Sequence, residues 1–207
     1  CNAIGLMDQA KNLGSIMKFN ISERTRNAIM IRMEEYEKET HVPEAIRQLM
    51  PYMNIILALT EKYSALVMNP PYMGNGNMNS NLKNYLELNY REGKSDLMTA
   101  FMLKAMTNTK PHGFWSMIDL PSWMFLASFQ ELRTIVIDCQ SIISLLHLGR
   151  GIFGSDFGSV AFTIQNRKPT GKGYYRRLFK EHVQVRSVDK IRELYLEKDY
   201  GKFYADQ

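Results

Sequence analysis

Cysteine is nearly missing from this 207-residue chain, which holds only Cys1 and Cys139. Two cysteines make neither a disulfide framework nor a zinc site, so a reduced, cytoplasmic setting is the expectation. No apolar run approaches the ~18 residues that a membrane-spanning helix requires, and no membrane partner is expected. The four histidines, His41, His112, His147 and His182, are scattered without metal-ligand spacing, so no catalytic metal is expected. His147 sits inside an apolar strand pattern and reads as a core histidine. Internal repeats are absent, and so are low-complexity tracts apart from one Asn/Gly stretch.

What is present is ordinary for a globular chain with a real core: 45% hydrophobic and 23% charged residues. The net charge of +5 permits a polyanionic partner without requiring one. The 14 methionines read as adaptable core filler. A start on Cys1 and an end on Ala205-Asp206-Gln207 suggest a piece of a longer protein.

Residues 1–62 read as helical. Ser22 is placed to cap a helix whose apolar stripe is Ile29, Met33 and Tyr36, with Glu34, Glu35, Glu37, Lys38 and Glu39 on a solvated side. A second helical pattern, 44–63, is expected to be interrupted by Pro51. The character then changes. Strands are predicted at 65–68, 113–120, 142–148 and 160–164, and helices at 96–106 and 122–138. Residues 73–84 read as a polar loop. The order suggests an α/β fold: the second half of an open sheet with an antiparallel edge hairpin. Residues 63–168 would form its catalytic part. Residues 169–207 would be a basic and helical extension, helical over 188–198.

The stretch that calls for explanation is Asn69-Pro70-Pro71-Tyr72, directly after an apolar strand. Chance occurrence in a chain of this length has odds on the order of one in a thousand. A plain strand-ending turn would use proline and asparagine too. Ligands of open α/β sheets, however, sit beyond the carboxyl ends of strands. An amide oxygen and the next carbonyl are both acceptors for an NH2 group, and prolines fix that carbonyl's direction.

The tetrapeptide resembles motif IV of amino-methyltransferases. The resemblance continues in Ser95-Asp96-Leu97 with the Phe101 helix, in 113–123 and in 145–166. With the upstream "GLMDQAKNLGSIMKF" and the final "YGKFYADQ", the chain looks like a PglX-type adenine-specific DNA methyltransferase of BREX phage-defence systems. This implies a Rossmann-like sheet, S-adenosylmethionine as cofactor and double-stranded DNA as partner. Other phage-defence proteins are further candidate partners. Asn69 and the Pro70 carbonyl would polarise the exocyclic amine of a flipped adenine, Pro71 would stiffen the corner, and Tyr72 would stack on the base. Asn69 and Asp96 would meet the cofactor. The family's glycine-rich cofactor loop should precede Asn69, yet residues 1–68 hold only Gly5 and Gly14. That loop and the DNA-reading domain are therefore expected elsewhere, and the isolated segment is expected to be inactive.

Other signals stay open or recede. Gly149-Arg150-Gly151-Ile152-Phe153-Gly154 matches G-x-G-x-x-G, but a strand rather than a helix follows, so a glycine-permitted loop is the reading. Cys139 lacks the proline context of a methyltransferase thiol and reads as a buried, inert group. The basic and aromatic run Arg167, Lys168, Lys172, Tyr174, Tyr175, Arg176, Arg177, Phe179 and Lys180 suits either phosphate contacts or a solvated edge. Residues 73–84 could close over a base or serve as a linker. Methylation of protein glutamine or RNA guanine would use the same corner, and a non-catalytic DNA-binding or assembly module is the alternative of another class.

Overall fold

A computed structural model describes residues 3–153, 158–181 and 184–206. Cys1, His182 and residues 154–157, which include the last glycine of the G-x-G-x-x-G match, lie outside the described residues. The chain divides into two compact units, Cys1–Lys62 and Tyr63–Gln207.

The first unit is helical: α1 (Ala3–Met7), α2 (Ala10–Leu13), α3 (Glu23–Lys38) and α4 (Glu44–Thr60). The Ser22 hydroxyl accepts the Thr25 N–H at 3.1 Å and so satisfies an orphan donor of the first turn of α3. Met33 is buried, and Glu34, Glu35, Glu37 and Lys38 are exposed. Pro51 does not interrupt α4 but lies inside it. The apolar positions Ile46, Met50 and Met53 continue through the proline and line a cavity against α3, so side-chain packing offsets one lost backbone bond.

The second unit holds β1 (Tyr63–Met68), α5 (Ser80–Asn89), α6 (Leu97–Asn108), β2 (Thr109–Asp119), α7 (Gln130–Cys139), β3 (Ser141–Arg150), β4 (Gly158–Gln165), β5 (Lys172–Arg177), α8 (Val188–Leu196) and β6 (Lys202–Asp206). Its six strands form one sheet in the order β1-β2-β4-β3-β5-β6. β1 pairs parallel to β2 and β3 parallel to β5, while β4 runs antiparallel to both of its neighbours. The carboxyl ends of β1, β2, β3 and β5 therefore share one edge of the sheet. Strand alternation sends Trp115, Met117, Phe162 and Ile164 into a core with Met98, Met102, Leu132 and Val136. Trp115 and Trp123 both meet the Phe162 ring edge-on, at 5.6 and 5.5 Å.

Several expectations shift. The polar loop ends early, because Asn79 caps α5 by accepting the Leu82 N–H at 2.9 Å. The helix expected from Ser122 begins at Gln130, after two 3-10 turns. Arg133 Nη1 donates to the Trp123 and Leu126 carbonyls at 2.9 and 2.6 Å, which satisfies that irregular backbone. The β3/β4 pair forms but does not end the sheet: β4 lies inside, and β5 and β6 make the antiparallel pair at the edge. Their charged residues hid a period of two, and such charges suit an edge strand. Cys139 is exposed, not buried. The buried neighbour is Gln140, whose side-chain Oε1 accepts the Trp115 Nε1–H at 3.1 Å.

Arg176 explains how α8 is held to the sheet. It is only 6% exposed, and its guanidinium donates to the carbonyls of Leu194, Tyr195, Glu197 and Tyr200 at 2.9–3.3 Å. The Leu194 and Tyr195 carbonyls belong to the last turn of α8 and Glu197 and Tyr200 follow it, and a cation there also suits the helix dipole. Arg176→Ala is expected to lower stability by roughly 2–3 kcal/mol, since several acceptors lose a charged donor together. Arg176→Lys should recover only part of the loss; urea unfolding of the three proteins checks this.

Candidate active site

The site is built where β1 ends. Asn69 is exposed, Pro70 buried, Pro71 exposed and Tyr72 half-buried. The Tyr72 ring packs against the core, and its hydroxyl lies 3.0 Å from Asn69 Oδ1 and 3.2 Å from the Ile118 carbonyl. Its single proton serves these two acceptors. The corner is thus closed on itself: the tyrosine orients the asparagine amide and ties it to the neighbouring strand β2. Asn69 Oδ1 keeps a second lone pair for another donor.

Asp96 holds the corner from the other side. It caps α6, and its Oδ1 accepts the Met98 N–H at 3.0 Å and the Met73 N–H at 3.1 Å. Met73 directly follows Tyr72, so one carboxylate oxygen joins the corner to the first turn of α6. Two backbone bonds reinforce the joint: Leu97 N–H to the Met73 carbonyl and Asn75 N–H to the Ser95 carbonyl, both 3.0 Å. Burial raises the Asp96 pKa above the usual carboxylate range, and the backbone donors oppose that rise.

Asp119 carries no functional expectation from the sequence. It ends β2, has no exposed surface and accepts the Leu120 N–H through Oδ1 at 2.8 Å. Its Oδ2 is buried without a hydrogen-bond partner among the described residues. Burial pushes its pKa from 3.8 up to about 8; the Leu120 N–H opposes this and the Asp96 charge adds to it. The Tyr72 phenol is also raised, first by burial and then by the Asp119 charge. The signal available in the sequence was an acidic residue closing an apolar strand, Trp115 to Ile118, immediately before Leu120-Pro121.

Beside Asn69, the sheet face opposite the core forms a trough of about 460 Å³ lined by Val67, Ser116, Ile118, Leu146, Ala161 and Thr163, among others. No charged residue lines it among those described. Val67 is 82% exposed there, whereas the Ser116 and Thr163 hydroxyls are 2.9 Å apart and bond to each other. Asn69 is the residue of this trough that offers an amide to an incoming group.

His147 is buried, and its Nδ1 accepts the Gly149 N–H at 3.2 Å. Gly149 and Gly151 have φ of 78° and 109°, and a Cβ on Gly151 would lie 2.0 Å from the Arg186 carbonyl oxygen. These glycines serve a turn and a close backbone approach. No group of three or more potential metal ligands occurs among the described residues. No described helix is long and apolar enough to cross a membrane.

The Asp119 environment has a direct consequence for stability. Below about pH 4 its carboxyl is neutral in both folded and unfolded chains and burial costs little. As pH rises from about 4 to about 8 the unfolded chain ionises while the folded one resists, so stability is lost across this window. Asp119→Asn is expected to flatten that part of the stability–pH curve; thermal unfolding at pH 5 and pH 8 checks it.

Residues 7–153 match the family model described as Eco57I restriction-modification methylase. The chain is 34% identical over 183 residues to the adenine-specific methyltransferase BrxX of Escherichia coli O9:H4 (strain HS), covering 85% of this chain and 15% of that protein. It is 33% identical over 188 residues to the adenine-specific methyltransferase PglX of Lacticaseibacillus casei (strain Zhang), covering 86% of this chain and 16% of that one. The chain thus spans about a sixth of the length of these relatives. Among solved structures, the ATP-dependent Type ISP restriction-modification enzyme LlaBIII bound to DNA superposes with a TM-score of 0.54 at 15% identity, over 78% of this chain and 13% of that one. That likeness shows a shared fold, an α/β sheet of Rossmann-like type. With the family model matching well over half of its residues, the chain belongs to the Eco57I restriction-modification methylase family.

Proposed function

We propose that this chain supplies the catalytic corner of a DNA N6-adenine methyltransferase acting in phage defence or restriction-modification. The observation that carries the reading is an intact Asn69-Pro70-Pro71-Tyr72 at the carboxyl end of β1, held by Asp96 and by the Tyr72 hydroxyl. An exocyclic amine on an aromatic base is a poor nucleophile because its lone pair is delocalised into the ring. Asn69 Oδ1 and the Pro70 carbonyl accept its two N–H groups and favour a tetrahedral nitrogen, and both acceptors are fixed before the base arrives. Pro71 keeps the chain from relaxing, since its φ is locked. Tyr72 offers a ring face to the flipped adenine. Asp96 is a positioning residue: its carboxylate holds Met73 and, through it, the corner.

When bound, S-adenosylmethionine supplies the electrophilic methyl group. The residues present suit its methyl end, because Asn69 opens onto the uncharged trough. The methionine and ribose ends need a glycine-rich loop and an acidic residue, which we assign to a part of the full-length protein outside these residues. The isolated segment is then inactive. DNA is the proposed substrate, with other defence proteins as further partners in a cytoplasmic setting.

In the full-length protein, Asn69→Ala is expected to cut labelled methyl transfer to DNA at least 100-fold while DNA binding and thermal stability stay unchanged. Tyr72→Phe keeps the ring and removes one hydrogen bond, so a loss of about 3- to 10-fold is expected. Transfer that survives Asn69→Ala would remove the corner from the chemistry.

A further inference from the structure

A second recess opens on the same edge of the sheet as Asn69. It is a cleft of about 700 Å³ at the ends of β3 and β5, lined by Phe125, His147, Tyr175, Arg177, Phe179 and Phe203 among others. Its walls are mostly rings in mutual contact. His147 meets Phe179 edge-on at 4.6 Å, Phe125 lies 6.5 Å from His147, and Tyr175 stacks on Phe203 at 5.4 Å. The Arg177 guanidinium sits over Phe179, 5.6 Å from the ring centre. Phe125 and Phe203 are 64% and 51% exposed, so each leaves ring surface open to the cleft. No Asp or Glu lines the cleft among the described residues.

The structure also sorts the basic run, because neighbouring arginines of β5 have opposite duties. Arg176 turns inward and is consumed by the carbonyls at the end of α8. Arg177 is exposed and faces the cleft. Sheet register fixes where the cleft lies relative to the corner. Asp119 pairs with Val160, Val160 with His147, and His147 with Arg177, while Met68 pairs with Met117 two residues short of Asp119. The corner and the cleft therefore share one transverse level. Three to four strand spacings separate β1 from β3 and β5, roughly 14–19 Å. Measured along the axis of duplex DNA, that distance is about four to six nucleotides at 3.4 Å of rise each.

We infer that this cleft is a nucleotide-binding platform. It takes a segment of the DNA strand four to six nucleotides from the target base, with a phosphate on Arg177 and an unstacked base against Phe203 or Phe125. The volume suits one nucleotide, since ligand pockets of about 300–1,000 Å³ hold small molecules. Aromatic faces accept any base, while the cation neutralises backbone charge, so the platform anchors the strand without reading its sequence. This rests on the reading of the chain as acting on DNA.

The test is fluorescence anisotropy of the full-length protein on a labelled duplex of host DNA at several salt concentrations. Arg177→Ala is expected to weaken binding about 5- to 10-fold and to reduce the salt slope by about one, with Arg177→Lys restoring the slope. Phe203→Ala should weaken binding about 5-fold or more and Phe203→Tyr should recover it. Both positions are exposed, so the variants should unfold at the wild-type temperature. Binding and slope unchanged in such folded variants would overturn the platform, whether or not the wild type methylates DNA. Conversely, weakened binding in the variants of a protein that methylates no DNA would keep the platform and overturn the proposed reaction.

Discussion

One carboxylate oxygen holds this site together. Asp96 Oδ1 takes the N–H of Met73, directly after the Asn69–Tyr72 corner, and that of Met98, in the first turn of α6. Each of those groups would otherwise be an unpaired donor beside the core. α6 in turn carries Met98, Met102 and Ala105 into the core against Trp115 and Phe162. The direction of the corner is therefore set by the packing of the whole domain. In the proposed reaction Asn69 gains from such rigidity, because acceptors fixed in advance need no reorganisation.

The same edge of the sheet gathers further polar groups, Asp119 among them. Asp119 is buried with one oxygen unsatisfied, and it perturbs Tyr72, whose hydroxyl orients Asn69. A buried carboxyl with one oxygen unpaired among the described residues costs stability in its charged form. Its persistence next to the corner fits the general pattern that perturbed groups gather at functional sites. Further along that edge, the aromatic cleft around Arg177 repeats the theme with rings and a cation in place of amides and carboxylates.

The sequence made the corner legible because four residues in order carry a chemical logic, and because an apolar strand precedes them. Most of the central elements were legible too, since Trp115/Met117 and Phe162/Ile164 alternate cleanly and Ser22 is a strong capping signal. β5 and β6 were not, because Lys172, Arg176 and Lys202 interrupt the apolar period and sheet pairing there depends on distant partners. The insertion of β4 between β2 and β3 was hidden for the same reason: register is a tertiary fact. The Asp96 clamp was missed in detail, since its bond to Met73 spans 23 residues, and Asp119 looked like a strand terminus until burial was known. Pro51 misled in the other direction, because the apolar stripe of α4 outweighs one missing hydrogen bond.

The corner is proposed to methylate the exocyclic amine of adenine in DNA. The most direct measurement is to incubate the full-length protein with S-adenosylmethionine and unmethylated DNA, in parallel with RNA and a protein substrate bearing an accessible glutamine, and to identify the product by mass spectrometry. N6-methyladenine in the DNA alone is the predicted result. Methylguanine in the RNA or methylglutamine in the protein, with the DNA unmodified, would contradict it.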